Sequence, residues 1–120
     1  MANVLVVDDS ASMRNMVMAT LSSAGHQVKD AENGEAALGL AKSSNFDAVI
    51  TDLNMPVMDG ITLTKELRTL STYTYTPILL LTTESGGDKK AAGKEAGATG
   101  WLVKPFNPEK LLTTVDRVLG

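Results

Sequence analysis

No cysteine occurs among the 120 residues, which excludes disulfides, thiolate metal sites and cysteine nucleophiles. No apolar run approaches the roughly 18 residues of a membrane span, so a water-soluble chain with no membrane contact is expected. The first residues, MANVLVVDD, carry no basic segment ahead of the apolar stretch, which argues against a signal peptide and for a cytoplasmic protein. Excess positive charge is missing too. With 11 basic and 14 acidic residues the formal net charge is -3, a balance that disfavours nucleic acid and favours protein or small-ligand partners. Repeats, low-complexity segments and linkers are also absent. The length suits a single domain spanning 1–120 with no output domain attached.

What is present alternates. Short β-branched or leucine-rich runs recur at Val4 to Val7, Ala48 to Ile50, Ile78 to Leu81 and Trp101 to Val103. Strands apolar on both faces belong in a parallel sheet covered by helices, whereas His26 to Ala31 is more mixed and reads as an edge strand. Lone His26 has no ligand partners in sequence and reads as a surface residue. Between the strands lie helical periodicities. Met13, Met16, Val17, Thr20, Leu21 and Ala24 share one face and stop at Gly25. Asn107 as N-cap and Pro108 at the first helical position open a last helix whose inner face is Leu111, Leu112, Val115, Val118 and Leu119. Further helices fit Gly34 to Lys42, Ile61 to Leu70 and Asp88 to Ala96, the last weakened by Gly93 at about 1 kcal/mol relative to alanine. Strict β/α alternation with right-handed crossovers predicts a doubly wound parallel five-stranded α/β sandwich.

In such sheets ligands bind beyond the carboxyl ends of the strands, where the strand order reverses. The residues there are polar: Asp8 and Asp9 after the first strand, Asp52 after the third, Thr82 and Thr83 after the fourth, and Lys104 before Pro105 after the fifth. Each aspartate alone reads as a turn former or helix cap. Together they do not, because two carboxylates about 4 Å apart repel by roughly 4 kcal/mol at an effective dielectric of 20. A hard divalent cation resolves the conflict, and an all-oxygen donor set with no EF-hand loop favours Mg2+. A carboxylate beside Mg2+ can serve as a phosphoryl-accepting nucleophile, with Lys104 and Thr82 as candidate partners of the phosphoryl oxygens.

The segments VLVVDDS, VITDLNMPVMDG, ILLLTTES and GWLVKPF resemble, at these spacings, the receiver domains of bacterial response regulators of the stand-alone chemotaxis type. The resemblance runs over residues 3 to 119, and its strength lies in several motifs recurring in order. It implies a flavodoxin-like (βα)5 fold with strand order 2-1-3-4-5. It also implies phosphorylation of Asp52 by a CheA-like sensor histidine kinase, with Mg2+ held by Asp8, Asp9, Asp52 and the Asn54 backbone carbonyl. By the same resemblance Lys104 pairs with the phosphoryl oxygens and the Lys104–Pro105 peptide is cis. Thr82 and Trp101 form a switch, with Trp101 standing where the family usually has tyrosine or phenylalanine. Asn54 and Glu84 tune hydrolysis of the acyl phosphate. The implied protein is monomeric and not a turnover enzyme. Its partners are the kinase, a downstream target such as the flagellar motor switch, and a phosphatase.

Other readings stand beside this one. The same chemistry suits a phosphate sink or relay intermediate. A Mg2+-dependent phosphohydrolase calls for a D-x-D first motif where this chain has adjacent Asp8 and Asp9, and a flavodoxin-like cofactor binder calls for a hydroxyl- or glycine-rich phosphate loop instead of an acidic pair.

Overall fold

The computed structural model describes residues 2–82, 87–104 and 107–120, with only the backbone path given for 87–89. The chain alternates β1 (Asn3–Val7), α1 (Ala11–Ser23), β2 (Gln27–Ala31), α2 (Gly34–Ser43), β3 (Ala48–Asp52), α3 (Gly60–Arg68), β4 (Ile78–Thr82), α4 (Gly87–Ala96), β5 (Gly100–Val103) and α5 (Pro108–Leu119). All strand pairs are parallel, in the order β2-β1-β3-β4-β5. Among the described residues no helix is long and apolar enough to cross a membrane.

Pleating sends alternate residues of each strand to opposite faces, so apolar runs feed two cores. Val4, Val6, Ile50, Leu79, Leu81 and Leu102 meet Val17 and Leu21 of α1 and Leu111 and Val115 of α5. Leu5, Val7, Val49 and Ile78 meet Ala37 and Ala41 of α2 and Leu63 and Leu67 of α3. β3 and β4 are buried throughout, whereas β2, at the edge, buries only Ala31 fully. That difference is why the second strand carries a mixed sequence and the central ones do not.

The helices start where a side chain satisfies a first-turn amide. Ser10 accepts from Met13 N–H, Asn33 from Ala36 N–H, Asp59 from Thr62 N–H, and Asn107 from Glu109 and Lys110 N–H. α1 stops as expected, its chain reversing through Gly25 at φ 93°. α3 ends at Arg68, two residues short of the expected Leu70, and a single 3-10 turn at Ser71–Tyr73 follows. His26 also departs from expectation. It precedes β2, is half-buried, and its Nδ1 accepts the Ala2 N–H at 3.2 Å.

Two side chains that the sequence pattern did not mark tie the layers together. Arg68 donates to the carbonyls of Tyr73 and Thr76, each at 2.7 Å, and to Gly97 O at 2.8 and 3.1 Å, which joins the ends of α3 and α4 to the start of β4. Tyr73, 1% exposed, shares its single hydroxyl proton between Ala41 O at 2.7 Å and Ser44 O at 2.6 Å, securing the end of α2. Tyr73→Phe strands these acceptors and is expected to cost about 1–3 kcal/mol in urea unfolding. A loss below the resolution of the melt would show that water replaces the hydroxyl.

Candidate functional site

β1 lies between β2 and β3, so the chain leaves its carboxyl end toward both sides and a crevice opens above it. Asp8, just past β1, and Asp52, the last residue of β3, face that crevice at 1% and 7% exposure, and Asp9 is exposed at its margin. Carboxylate oxygens of Asp8, Asp9 and Asp52 lie within 4.8 Å of one another. Lys104, following β5, brings its Nζ to 3.0 Å from Asp52 Oδ1 and 3.2 Å from Asp8 Oδ2. Its own amide donates to Thr82 O at 2.8 Å, so the ends of β4 and β5 are set together. Thr82 is buried at the end of β4.

Asp8 and Asp52 are each held from several directions. Asp8 accepts Ser10 N–H on Oδ1 at 2.9 Å, its amide donates to Ala31 O, and its carbonyl accepts Arg14 Nη1 at 2.8 Å. Arg14 Nε simultaneously reaches Asp30 Oδ2 at 2.9 Å. Asp52 accepts Leu53 N–H on Oδ1 at 2.9 Å, the same oxygen that Lys104 reaches. Behind it Gly60 is obligatory, because a Cβ there would overlap the Asp52 carbonyl oxygen, and Gly60 N–H donates to Leu53 O at 2.9 Å. Arg14 and Gly60 are site residues that residue-by-residue reading missed. Glycine after Asp59 was the one available signal, inside the quoted loop motif.

The electrostatics follow from this crowding. Burial pushes the Asp52 carboxyl above the usual carboxylate range, and the Asp8 charge adds to the rise. The Lys104 and Leu53 hydrogen bonds oppose it without cancelling it. Burial alone would lower Lys104, but its hydrogen bonds and charge contacts with Asp52 and Asp8 hold it above the ordinary lysine range. Three carboxylates against one ammonium leave net negative charge, and oxygen donors alone suit a hard divalent ion. The residues present therefore fit Mg2+.

The loop from β3 to α3 forms one wall. Asn54, Met55, Pro56 and Asp59, with Asp9, line an open cavity of about 330 Å³. Met58 N–H donates to Pro56 O at 2.8 Å, and the residue between them, Val57, has φ 71°. This is a γ-turn of the rare positive-φ kind, and a β-branched residue at its centre costs about 1–3 kcal/mol. On the far side, Trp101 of β5 is half-buried against α4, where a Cβ on Gly93 would stand 2.6 Å from Trp101 Cζ2 and 2.8 Å from Leu80 Cδ1. The indole fills a notch that only glycine leaves open, which is why a helix-weakening residue sits mid-helix. Glu84 and Pro105, expected to tune hydrolysis and to form a cis peptide, lie outside the described residues.

The raised Asp52 pKa fixes the sign of a pH effect. The folded state holds this proton more tightly than the unfolded chain, so the cost of the buried charge is absent at acid pH and complete above the folded pKa. In EDTA, Asp52→Asn is expected to raise the urea midpoint at neutral pH, with a gain that shrinks as pH falls through that pKa. A pH-independent gain would show that buried charge is not its source.

The match to known proteins agrees with this geometry. The family model of the response regulator receiver domain matches residues 4–116. The chain is 41% identical to a chemotaxis protein CheY homolog of Campylobacter jejuni over 97% of its length and 91% of the relative's. Vibrio cholerae CheY4, a chemotaxis response regulator, superposes with a TM-score of 0.95 at 56% identity, covering 98% of each chain. The receiver domain of a sensor histidine kinase from Pseudomonas aeruginosa, solved with magnesium coordinated in its active-site cleft, superposes with a TM-score of 0.93 at 28% identity, covering 99% of this chain and 98% of its own. The chain belongs to the response regulator receiver domain family and is similar to its CheY proteins over nearly their whole length.

Proposed function

We propose that this receiver is a stand-alone chemotaxis response regulator, acting in the cytoplasm as a monomer and phosphorylated on Asp52 by a CheA-like sensor histidine kinase. The observation that carries this reading is Lys104 Nζ at 3.0 Å from Asp52 and 3.2 Å from Asp8, within the carboxylate trio. Leu53 N–H and Lys104 converge on Asp52 Oδ1, which makes Oδ2 the attacking oxygen. The new O–P bond forms as the P–N bond of the donor phosphohistidine breaks. The bonding pair returns to the imidazole nitrogen, and the product is an acyl phosphate on Asp52. Asp8, Asp9, Asp52 and the Asn54 carbonyl would hold Mg2+, which would supply positive charge to the phosphoryl oxygens. Lys104 steadies the same oxygens, and Thr82 adds a hydroxyl from the end of β4. Water attack on the phosphorus returns Asp52 to its free form, at a rate tuned by Asn54 and Glu84 and by a phosphatase. None of this consumes an external substrate catalytically, so the output is a protein contact, with the flagellar motor switch as target.

The signal leaves through β5 and α4. The indole lodged at Gly93 joins Trp101 to α4, so a shift of Thr82 and Lys104 at the adjoining strand ends is passed to the helix. Val103, on the same strand face, is 46% exposed and extends this surface.

Incubation with Mg2+ and acetyl phosphate, followed by intact mass, is expected to show one phosphoryl group on the native protein and none on Asp52→Asn. An adduct on both would sink the assignment. Gly93→Ala should destabilise by about 1–3 kcal/mol through overpacking. It should also shift the emission of Trp101, the sole tryptophan, already in the unphosphorylated protein. Unaltered emission would place the indole elsewhere than in the notch.

A further inference from the structure

Val57 combines three properties that packing does not explain. Among the described residues it is the one non-glycine with positive φ. It is β-branched, the class of side chain least tolerant of that conformation. It is also 74% exposed, so burial of the isopropyl group offsets none of the strain. The conformation is imposed from both sides. Pro56 fixes the backbone ahead of it and accepts the Met58 N–H, and Gly60 N–H is tied to Leu53 O behind Asp52. Met58 is itself locked, because its backbone and Cβ press on Gly34 closely enough to exclude any side chain there. The turn therefore projects an apolar side chain into solvent directly beside Pro56, a wall residue of the crevice.

The surroundings of that side chain define what it meets. Asp52 is only 7% exposed, at the floor of the crevice. Asn54, Met55, Pro56 and Asp59 form the wall with Asp9 opposite, and Asp59 is engaged in capping α3. A small acyl phosphate is compact enough to react at Asp52 without engaging the outer residues of the turn. A phosphohistidine carried on a protein is not, since inserting the imidazole to the floor brings the surrounding donor surface down onto the rim.

We infer that Val57 is a donor-recognition residue: held outward by the strained γ-turn, it packs against an apolar side chain flanking the phosphohistidine of the donor protein. This rests on the proposal that Asp52 accepts the phosphoryl group, and the two are tested separately by using two donors. The probes are acetyl phosphate and an autophosphorylated chemotaxis sensor kinase selected because it phosphorylates the native protein. Val57→Gly and Val57→Asn both accept positive φ, so each keeps the turn while removing the apolar contact. Val57→Ile keeps the contact.

With acetyl phosphate all three variants are expected to be modified within about twofold of the native rate. With the kinase, kcat/KM should fall roughly five- to tenfold for Val57→Gly and Val57→Asn, mainly through KM, and be retained by Val57→Ile. The gain in urea midpoint expected for Val57→Gly from relieved strain would show that the loss is not one of folding. Equal rates with both donors overturn the inference, as does an equal fall with both, which would mean that the turn serves Asp52 geometry instead. Absence of any acetyl phosphate adduct on the native protein removes the acceptor reading and this inference with it.

Discussion

The ammonium of Lys104, 3.0 Å from Asp52 and 3.2 Å from Asp8, is the charge on which the upper edge of the sheet depends. Two nearly buried carboxylates repel by several kcal/mol at contact distance, and hydrogen bonds from Ser10 and Leu53 amides offset only part of that. One lysine cannot neutralise three acids. The pocket keeps a residual negative charge of the kind a hard divalent cation neutralises, while burial, with the Asp8 charge adding to it, raises the Asp52 pKa.

Close packing around the pocket sets how it can respond. Gly60 against the Asp52 carbonyl leaves no slack between the acceptor strand and α3. The γ-turn at Val57 stores strain on the open side of the same loop, whereas the opposite wall meets α4 through an indole set in the notch at Gly93. One side of the site is thus a strained, exposed turn and the other a close indole–helix contact. Arg68 fixes the far end of α4 by its bonds to Gly97 O.

Much of this was legible in the residues. Strand positions followed from apolar runs because interior parallel strands are buried on both faces, and the mixed sequence of β2 marked it as an edge. Helix starts were readable at Asn107–Pro108, where cap chemistry is local. Arg14, Arg68 and Tyr73 were not, since each donates to backbone carbonyls and a carbonyl leaves no trace in residue type. His26 was hidden in a related way: it accepts the Ala2 backbone N–H, and a main-chain amide is equally invisible in residue type.

The sequence by itself determined the chemistry. It placed carboxylates at the ends of β1 and β3, a hydroxyl at the end of β4 and an ammonium after β5, and parallel α/β topology carries strand ends to one edge whatever the details. Only the tertiary structure decided distances, and with them roles. It put Lys104 between Asp8 and Asp52 while leaving Asp9 exposed, lodged Trp101 against Gly93, and turned Val57 outward. The reason is physical. Pattern and propensity act over a few residues and select elements, whereas charge and steric overlap act across gaps of a few ångströms between residues tens of positions apart, and those gaps exist only once the layers have packed.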